Sequence, residues 1–302
     1  NDFEEDDSTE EELDLSLIQG SSDPSTCSTF IGLGPDIDWI KSVEGSMEEA
    51  HAHFIYTTSD NGYIQVGETG FLSDNTAKIL VVKTDINGDL VWKKEFGEQG
   101  HNLGNSILEI GDGYIISGSI NKNSTILKLD KSNGNVIWQN TIDNGGTNAL
   151  EQVVETPNGL VGVGYIKAED ENNTFYTEGQ GYITFFDLKG NKISGKLLDD
   201  QMSHAYRVLL LNDNLIVSGL TSGAEDYSLM KISLNGDLDW IKTYGGIDMD
   251  HCFAMDIGEG NSIFLSGHTL SGTQNWDTST LKIDIYGITI WEHKRGNPRE
   301  YN

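Results

Sequence analysis

A unit of about 50 residues recurs along most of the chain, and a repeat of that length has to be read before any single motif. Its clearest element is an alternating apolar run, a tight turn, and a second run that carries tryptophan. Four copies are plain: ILVVKTDINGDLVWKKEFG from Ile79, STILKLDKSNGNVIWQNTI from Ser124, YSLMKISLNGDLDWIKTYGG from Tyr227 and STLKIDIYGITIWEHKRG from Ser279. A fifth, GYITFFDLKGNKISGKLL from Gly181, has Ser194 where the others have Trp. Asn-Gly between two alternating runs marks a β-hairpin, because both turn positions tolerate positive φ. A second kind of hairpin lies between these copies: HFIYTTSDNGYIQVGET, NSILEIGDGYIISGS, LEQVVETPNGLVGVGY, YRVLLLNDNLIVSGL and CFAMDIGEGNSIFLSGH.

Two hairpins per repeat make four strands, which is one blade of a β-propeller. The runs are too short and too regularly interrupted for helices, so the fold class is all-β. With strands labelled a to d from the axis outward, the d strands carry Trp39, Trp92, Trp138, Trp240 and Trp291, plus the irregular Lys192–Leu197. That is one more d strand than there are complete a-b-c sets. A ring closes when one terminus completes a blade begun by the other, so Ile37–Val43 reads as the outer strand of a sixth blade whose other strands should follow Trp291. The expectation is five complete blades plus a partial one in a six-bladed ring, with the sequence a piece of a longer chain. A five-bladed ring with Ile37–Val43 as an extra outer strand is the alternative, and seven blades remain open. Residues 1–36 form a separate acidic tail and residues 37–302 the propeller.

Composition narrows the partners. A net charge of −29 and a pI near 4.3 repel phosphate backbones, so nucleic acid is not an expected ligand. The sequence holds no run of about 18 apolar residues that would span a membrane as a helix. It also shows no signal peptide. The tail NDFEEDDSTEEELD is a run of like charges that cannot bury a core, and it reads as a solvated, disordered linker.

That tail resembles the stretch behind the lipidated cysteine of Bacteroidota surface lipoproteins, where acidic residues near the anchor serve in export to the cell surface. The resemblance implies an outer-membrane location through a lipid anchor upstream of Asn1. Asp7-Ser8-Thr9 resembles the O-glycosylation site of the same bacteria, with Ser8 the acceptor. From about Asp36 onward, the blade spacing and the Trp-Lys ending resemble bacterial propellers with PQQ-like or related repeats. This second resemblance implies the fold and says little about activity, since propellers host unrelated functions.

The d-strand tryptophans recur at one blade position, as do Lys83, Lys128, Lys231 and Lys282 in strand c, and both sets read as packing between blades. Candidate function lies instead where the blades differ. The a–b and c–d connections are minimal turns on one plain face. The b–c and d–a connections share the other face and present Phe71, Phe175, Tyr176, Tyr227 and Trp276, aromatics on loops held by a rigid scaffold. They form a binding face unless each folds back onto its own blade. His51, His101, His204 and His251 stand just before strand a in four blades, with Asn148 in the remaining one, and are expected to ring the channel mouth. Imidazoles there could bind an anion or a metal, but a wide ring holds them too far apart for one first shell of about 2 Å bonds, so no metal or other cofactor is assigned. Asp85-Ile86-Asn87-Gly88-Asp89 opens like a calcium loop but lacks the bidentate Glu, and an Asx turn explains it better. Cys27 and Cys252 either pair as a disulfide, which an extracytoplasmic compartment permits, or are two isolated apolar residues.

No Gly-x-Ser-x-Gly elbow, His-Glu-x-x-His pair, phosphate loop or CxxC motif occurs in the sequence. The expected function is therefore a non-catalytic, surface-exposed lipoprotein that serves as an interaction or scaffold subunit of an outer-membrane assembly for uptake, secretion or barrel insertion. The alternative is a cell-surface carbohydrate-binding module using the aromatic loops. A third reading is an enzyme, a polysaccharide lyase or quinone-dependent dehydrogenase, with the histidines in its site.

Overall fold

The alternating runs do what their period demands: each lays one side chain into a core and the next onto the opposite face, and each turn reverses the chain within a few residues. In the computed structural model, residues 38–47, 49–168, 179–198, 202–221, 226–271 and 276–296 are described. The chain divides into two units, residues 1–40 and residues 41–302, and the second holds all the strands named below. The first blade comprises β1 (Ala50–Thr57), β2 (Tyr63–Thr69), β3 (Ala77–Thr84) and β4 (Leu90–Gly100). The second comprises β5 (Leu103–Ile110), β6 (Gly113–Ile120), β7 (Asn123–Asp130) and β8 (Val136–Ile142). The third comprises β9 (Thr147–Thr156), β10 (Gly159–Ala168), β11 (Gln180–Phe186) and β12 (Lys192–Leu197). The fourth comprises β13 (Met202–Leu211), β14 (Asn214–Thr221), β15 (Tyr227–Ser233) and β16 (Leu238–Tyr244). The fifth comprises β17 (Asp250–Ile257), β18 (Ile263–Thr269), β19 (Asp277–Ile283) and β20 (Thr289–Arg295).

Within each blade the strands pair antiparallel in sequence order, so the described residues form five four-stranded sheets of a β-propeller. The first strands β1, β5, β9, β13 and β17 are the inner ones, each packed against the next. Apolar cores lie between successive blades: Ile64, Val81 and Trp92 meet Tyr114 and Ile116, and Leu229 meets Cys252 and Leu265.

The c–d turns explain the Asn-Gly signal. Gly88, Gly134, Gly190, Gly236 and Gly287 all hold φ between 69° and 79°, where a Cβ is disfavoured. An Asp or Ser opens each turn and accepts backbone N–H bonds. Asp85 takes those of Asn87 at 2.8 Å and Asp89 at 2.9 Å, so the calcium-like opening is an Asx turn.

The same turn is where blades lock together. The indole of Trp92 donates from Nε1 to the carbonyl of Lys131, 3.0 Å away in the second blade's c–d turn, and covers Gly134. Trp138 covers Gly190 of the third blade and Trp240 covers Gly287 of the fifth. Behind each Trp sits the strand-c lysine, in register with it: Lys83 with Trp92, Lys128 with Trp138, Lys231 with Trp240, Lys282 with Trp291. Lys83 is fully buried and meets Asp60 of the a–b turn at 3.0 Å. The Thr58 hydroxyl, together with Lys83 and the Gly62 N–H, outweighs desolvation and holds the Asp60 carboxyl at about 2.

The expected closing strand is not formed as a strand among residues 38–47. Lys41 nonetheless reaches Asp89 in the first blade's c–d turn, as Lys94 reaches Asn135 and Lys196 reaches Asp237. Each of these lysines lies two residues after the Trp or Ser position of its repeat, so Lys41 keeps the turn contact that an outer-strand lysine makes.

Trp92 is 8% exposed and Trp291 is 38% exposed. Trp92→Ala is therefore expected to cost about 3–5 kcal/mol. Trp291→Ala should cost under about 1 kcal/mol, as a mostly surface change does. Urea unfolding of the two variants beside wild type measures the contrast.

Candidate functional site

The inner strands are built on one repeated clash. Beneath a glycine of strand b passes the carbonyl of strand a, so close that a Cβ would strike it: Gly67 over His51, Gly118 over Leu103, Gly164 over Ala149, Gly219 over His204 and Gly267 over His251. Two residues on, strand a bulges, leaving one residue without a partner in the ladder. A bulge re-aims a side chain and bends the strand. The bulged residues are His53, Asn105, Glu151, Tyr206 and Phe253, one from each blade.

These five residues converge. His53 meets the side chain of Asn105 and feels the charge of Glu151 from two blades away. Glu151 Oε1 accepts the hydrogen bond of His204 Nε2 at 3.0 Å. Tyr206 and Phe253 meet edge to face with centroids 5.3 Å apart. Across the ring, the Arg207 guanidinium of the fourth blade lies 5.6 Å from the Phe54 ring of the first. A row of rings results: Tyr165 to His204 at 4.4 Å, His204 stacked on Tyr206 at 4.1 Å, then Phe253, His268 at 5.0 Å and Trp276 at 4.1 Å. One flank of the channel is thus aromatic and imidazole, and the other carries His53, Glu68 and Glu151.

The structure reorders the sequence expectations. His51, His204 and His251 do share one slot, but Leu103 and Ala149 fill it in the second and third blades. His101 lies two residues earlier, buried between β4 and β5, and is not part of the set. Asn148 corresponds to Asn102: Asn102 Oδ1 accepts the Asn121 N–H at 2.9 Å, and Asn148 Oδ1 accepts the Lys167 N–H at 3.1 Å. Counting from the loops missed this because the strand-b glycine, and not the loop length, sets the register.

The aromatics separate as well. Tyr227 is no loop residue; it is buried in β15, in the core between the fourth and fifth blades. Trp276 folds back onto its own blade against His268 and His251 and stays partly exposed. Phe71 is exposed on the first blade's b–c loop. Phe175, Tyr176, Cys27 and Ser8 lie outside the described residues. The b–c connections are not uniformly long, since the second blade turns on Asn121 and Lys122 alone, both at positive φ. Cys252 is a fully buried thiol whose Sγ faces the Ala254 carbonyl at 3.4 Å, and burial pushes that thiol up to about 12; Cys27, its expected disulfide partner, lies outside the described residues. Among the described residues, no group of three or more His, Cys, Asp or Glu could hold a metal ion.

Residues that the sequence reading passed over carry most of the channel: His53, Glu68, Asn105, Glu151, Tyr206, Phe253 and His268. Their signal was the strand-b pair that faces each bulge, Val66-Gly67, Ser117-Gly118, Val163-Gly164, Ser218-Gly219 and Ser266-Gly267.

The imidazoles are held by their neighbours. His53 Nε2 lies 3.1 Å from Glu68; burial opposes protonation, but the Glu68 contact, helped by Glu151 and Asn105, prevails and raises its pKa. His268 goes the other way. Burial first, and the facing His251 ring 2.9 Å away second, lower its pKa from 6.5 to about 4. Between those values the unfolded chain holds the extra proton. Stability from this site is whole above about pH 6.5 and is lost as the pH falls toward 4. His268→Asn should flatten that limb of the stability-against-pH curve, read as thermal midpoints from pH 7 to 4. An unchanged slope would place the acid sensitivity elsewhere.

No family model matches the sequence, and no curated protein does. Solved structures do resemble it. A Bacteroides caccae protein of unknown function aligns at TM-score 0.56 and 12% identity, over 86% of both chains. The Dos1 propeller aligns at 0.55 and 12%, over 82% of this chain and 59% of that one. A putative 6-phosphogluconolactonase from Bacteroides uniformis aligns at 0.54 and 10%, over 82% and 73%. At such identities the likeness is one of fold: the chain is similar to β-propellers.

Proposed function

We propose that this propeller is a non-catalytic recognition module, displayed at the cell surface by a lipid anchor and docked through its loop face onto an outer-membrane assembly. The observation that carries the reading is internal to the repeat. Positions that hold the blades together recur, as the strand-b glycines and c–d turn glycines do, while the five bulged positions that converge on the channel are all different. A repeat diverges where its surface has to be specific for a ligand. The imidazoles there are tied up: His204 is enclosed by Glu151, Tyr165 and Tyr206, and His268 is kept neutral. Such groups suit shape and hydrogen-bond recognition better than repeated proton transfer. The acidic tail supports the cell-surface part by its resemblance to exported lipoproteins.

A carbohydrate-binding reading draws on one specific observation. Trp276 and His268 form a partly exposed pair of flat rings beside the channel, the kind of surface on which a sugar ring stacks.

The test is mild affinity purification of the tagged protein from its native envelope, beside a Phe71→Ala/Trp276→Ala variant. Stoichiometric recovery of an outer-membrane barrel with wild type, reduced at least several-fold in the variant, is the expected result. Recovery of the protein alone would overturn the scaffold reading, and polysaccharide binding lost in Trp276→Ala would replace it.

A further inference from the structure

The third blade breaks the pattern that joins every other pair of neighbours. Where Trp faces Lys across strands d and c, this blade has Ser194 facing Phe185. The turn opposite is unchanged: Gly236 of the fourth blade keeps φ 79°, as the glycines under Trp92, Trp138 and Trp240 keep 69°, 77° and 77°. Lys196 and Phe185 come partway into the vacated place, since a Cβ on Gly236 would lie 2.6 Å from Lys196 Cε and 3.0 Å from the Phe185 ring. They do not fill it. A cavity of about 250 Å³ remains, lined by Phe185, Val161, Ile193, Ser194, Leu234 and Asn235 among others. The Ser194 side of the cavity is open to solvent and Phe185 is half-buried.

The other blades show what such a slot accepts. Trp92 lays its ring over the turn glycine and gives its N–H to the carbonyl of Lys131, the first residue after the one that opens the turn. The fourth blade's turn, Ser233 to Asp237, is one residue shorter and matches the fifth blade's, over which Trp240 lies with its Nε1 making no hydrogen bond, so what the slots share is the ring's cover of the turn and not the N–H bond. The strand-c change fits as well. Lys83 and Lys128 each reach an aspartate of their own a–b turn, Asp60 and Asp112. The third blade's a–b turn carries Asn158 in place of an aspartate, and with Phe185 in strand c there is no buried ammonium to neutralise. The slot therefore has an apolar floor with Asn158, Ser194 and Asn235 at its rim and the Lys196 side chain, paired with Asp237 at 3.4 Å, along its edge. Wetting it leaves apolar surface exposed that a flat ring would cover.

We propose that this cavity is a binding site for an indole-type aromatic ring, entering from the outer rim between the third and fourth blades and taking the position that tryptophan has in the neighbouring blades. The ring stacks on Phe185 against Leu234 and Asn235 of the fourth blade's turn, displacing the Lys196 side chain from Gly236. The site lies on the turn face and outer rim, separate from the channel cluster, and does not depend on the recognition reading above. Two sources share this chemistry, a free indole compound and a tryptophan side chain on a partner peptide.

The experiment titrates the full 302-residue chain with indole and with the tripeptide Gly-Trp-Gly at millimolar concentrations, read by calorimetry and saturation-transfer NMR. Ser194→Trp fills the slot from within and is the competitor. The expected result is one site on wild type, at least tenfold weaker binding to S194W, and a raised thermal midpoint for S194W. Stronger binding of the tripeptide assigns the slot to a partner's side chain, and stronger binding of indole to a free compound; either supports the site. Should S194W fold poorly, Phe185→Lys/Ser194→Trp restores the pair present in the other blades and serves as the blocked form. Failure of both probes to bind wild type, or equal binding to wild type and blocked protein, overturns the proposal.

Discussion

In every blade the carbonyl of the inner strand passes so close to strand b that only a glycine fits beneath it. His51, Leu103, Ala149, His204 and His251 supply those carbonyls, and Gly67, Gly118, Gly164, Gly219 and Gly267 receive them. This contact pins the register of the a–b hairpin, because a slip of one residue would drive a side chain into backbone. It also forces the bulge that follows. A strand with one residue too many must turn that residue out of the ladder, and here it turns toward the axis. One steric constraint, repeated around the ring, thus creates both the uniform framework and the five positions free to vary.

The second constraint acts between blades. A tryptophan on the outer strand covers a positive-φ glycine in the next blade's turn, and a lysine behind it satisfies local carboxylates. Aromatic burial of this kind dominates inter-element packing, since one such ring removes about 150–250 Å² from water. The lysine matters because a buried ammonium needs its partner, and Asp60 meets Lys83 within 3.0 Å. The third blade exchanges both members at once, Trp for Ser194 and Lys for Phe185. Changing only one would have left either an uncompensated charge or two bulky rings in one slot. That the exchange is paired explains how the blade keeps its place while leaving a cavity at the rim.

Much of this was legible in the sequence because hairpins are local. Asn-Gly at 87–88 and 235–236 declares a turn, the alternation around it declares two strands, and the recurrence of Trp and Lys declares an inter-blade contact. Even the irregularity of Ser194 was visible. The channel was not. Register between β1 and β2 is decided by which backbone atoms can approach, so His101 looked equivalent to His51 when counted from its loop and is two residues out of step. Tyr227 looked like a loop aromatic because the preceding segment is polar, yet strand β15 begins at it and the core between two blades takes it in.

By itself, then, the sequence determined the class of fold, the four-stranded repeat, the turn chemistry and the positions that pack one blade on the next, because each follows from period, sterics and burial over short stretches of chain. Only the tertiary structure decided which side chains meet. His53 and Glu151 stand almost a hundred residues apart, and His204 lies between Tyr165 and Tyr206 from two blades. Their meeting depends on the curvature of the whole ring and on bulges whose direction no single strand encodes. The chemistry of the channel comes from that convergence, and the cavity beside Ser194 comes from the match between one blade's missing ring and the next blade's unchanged turn.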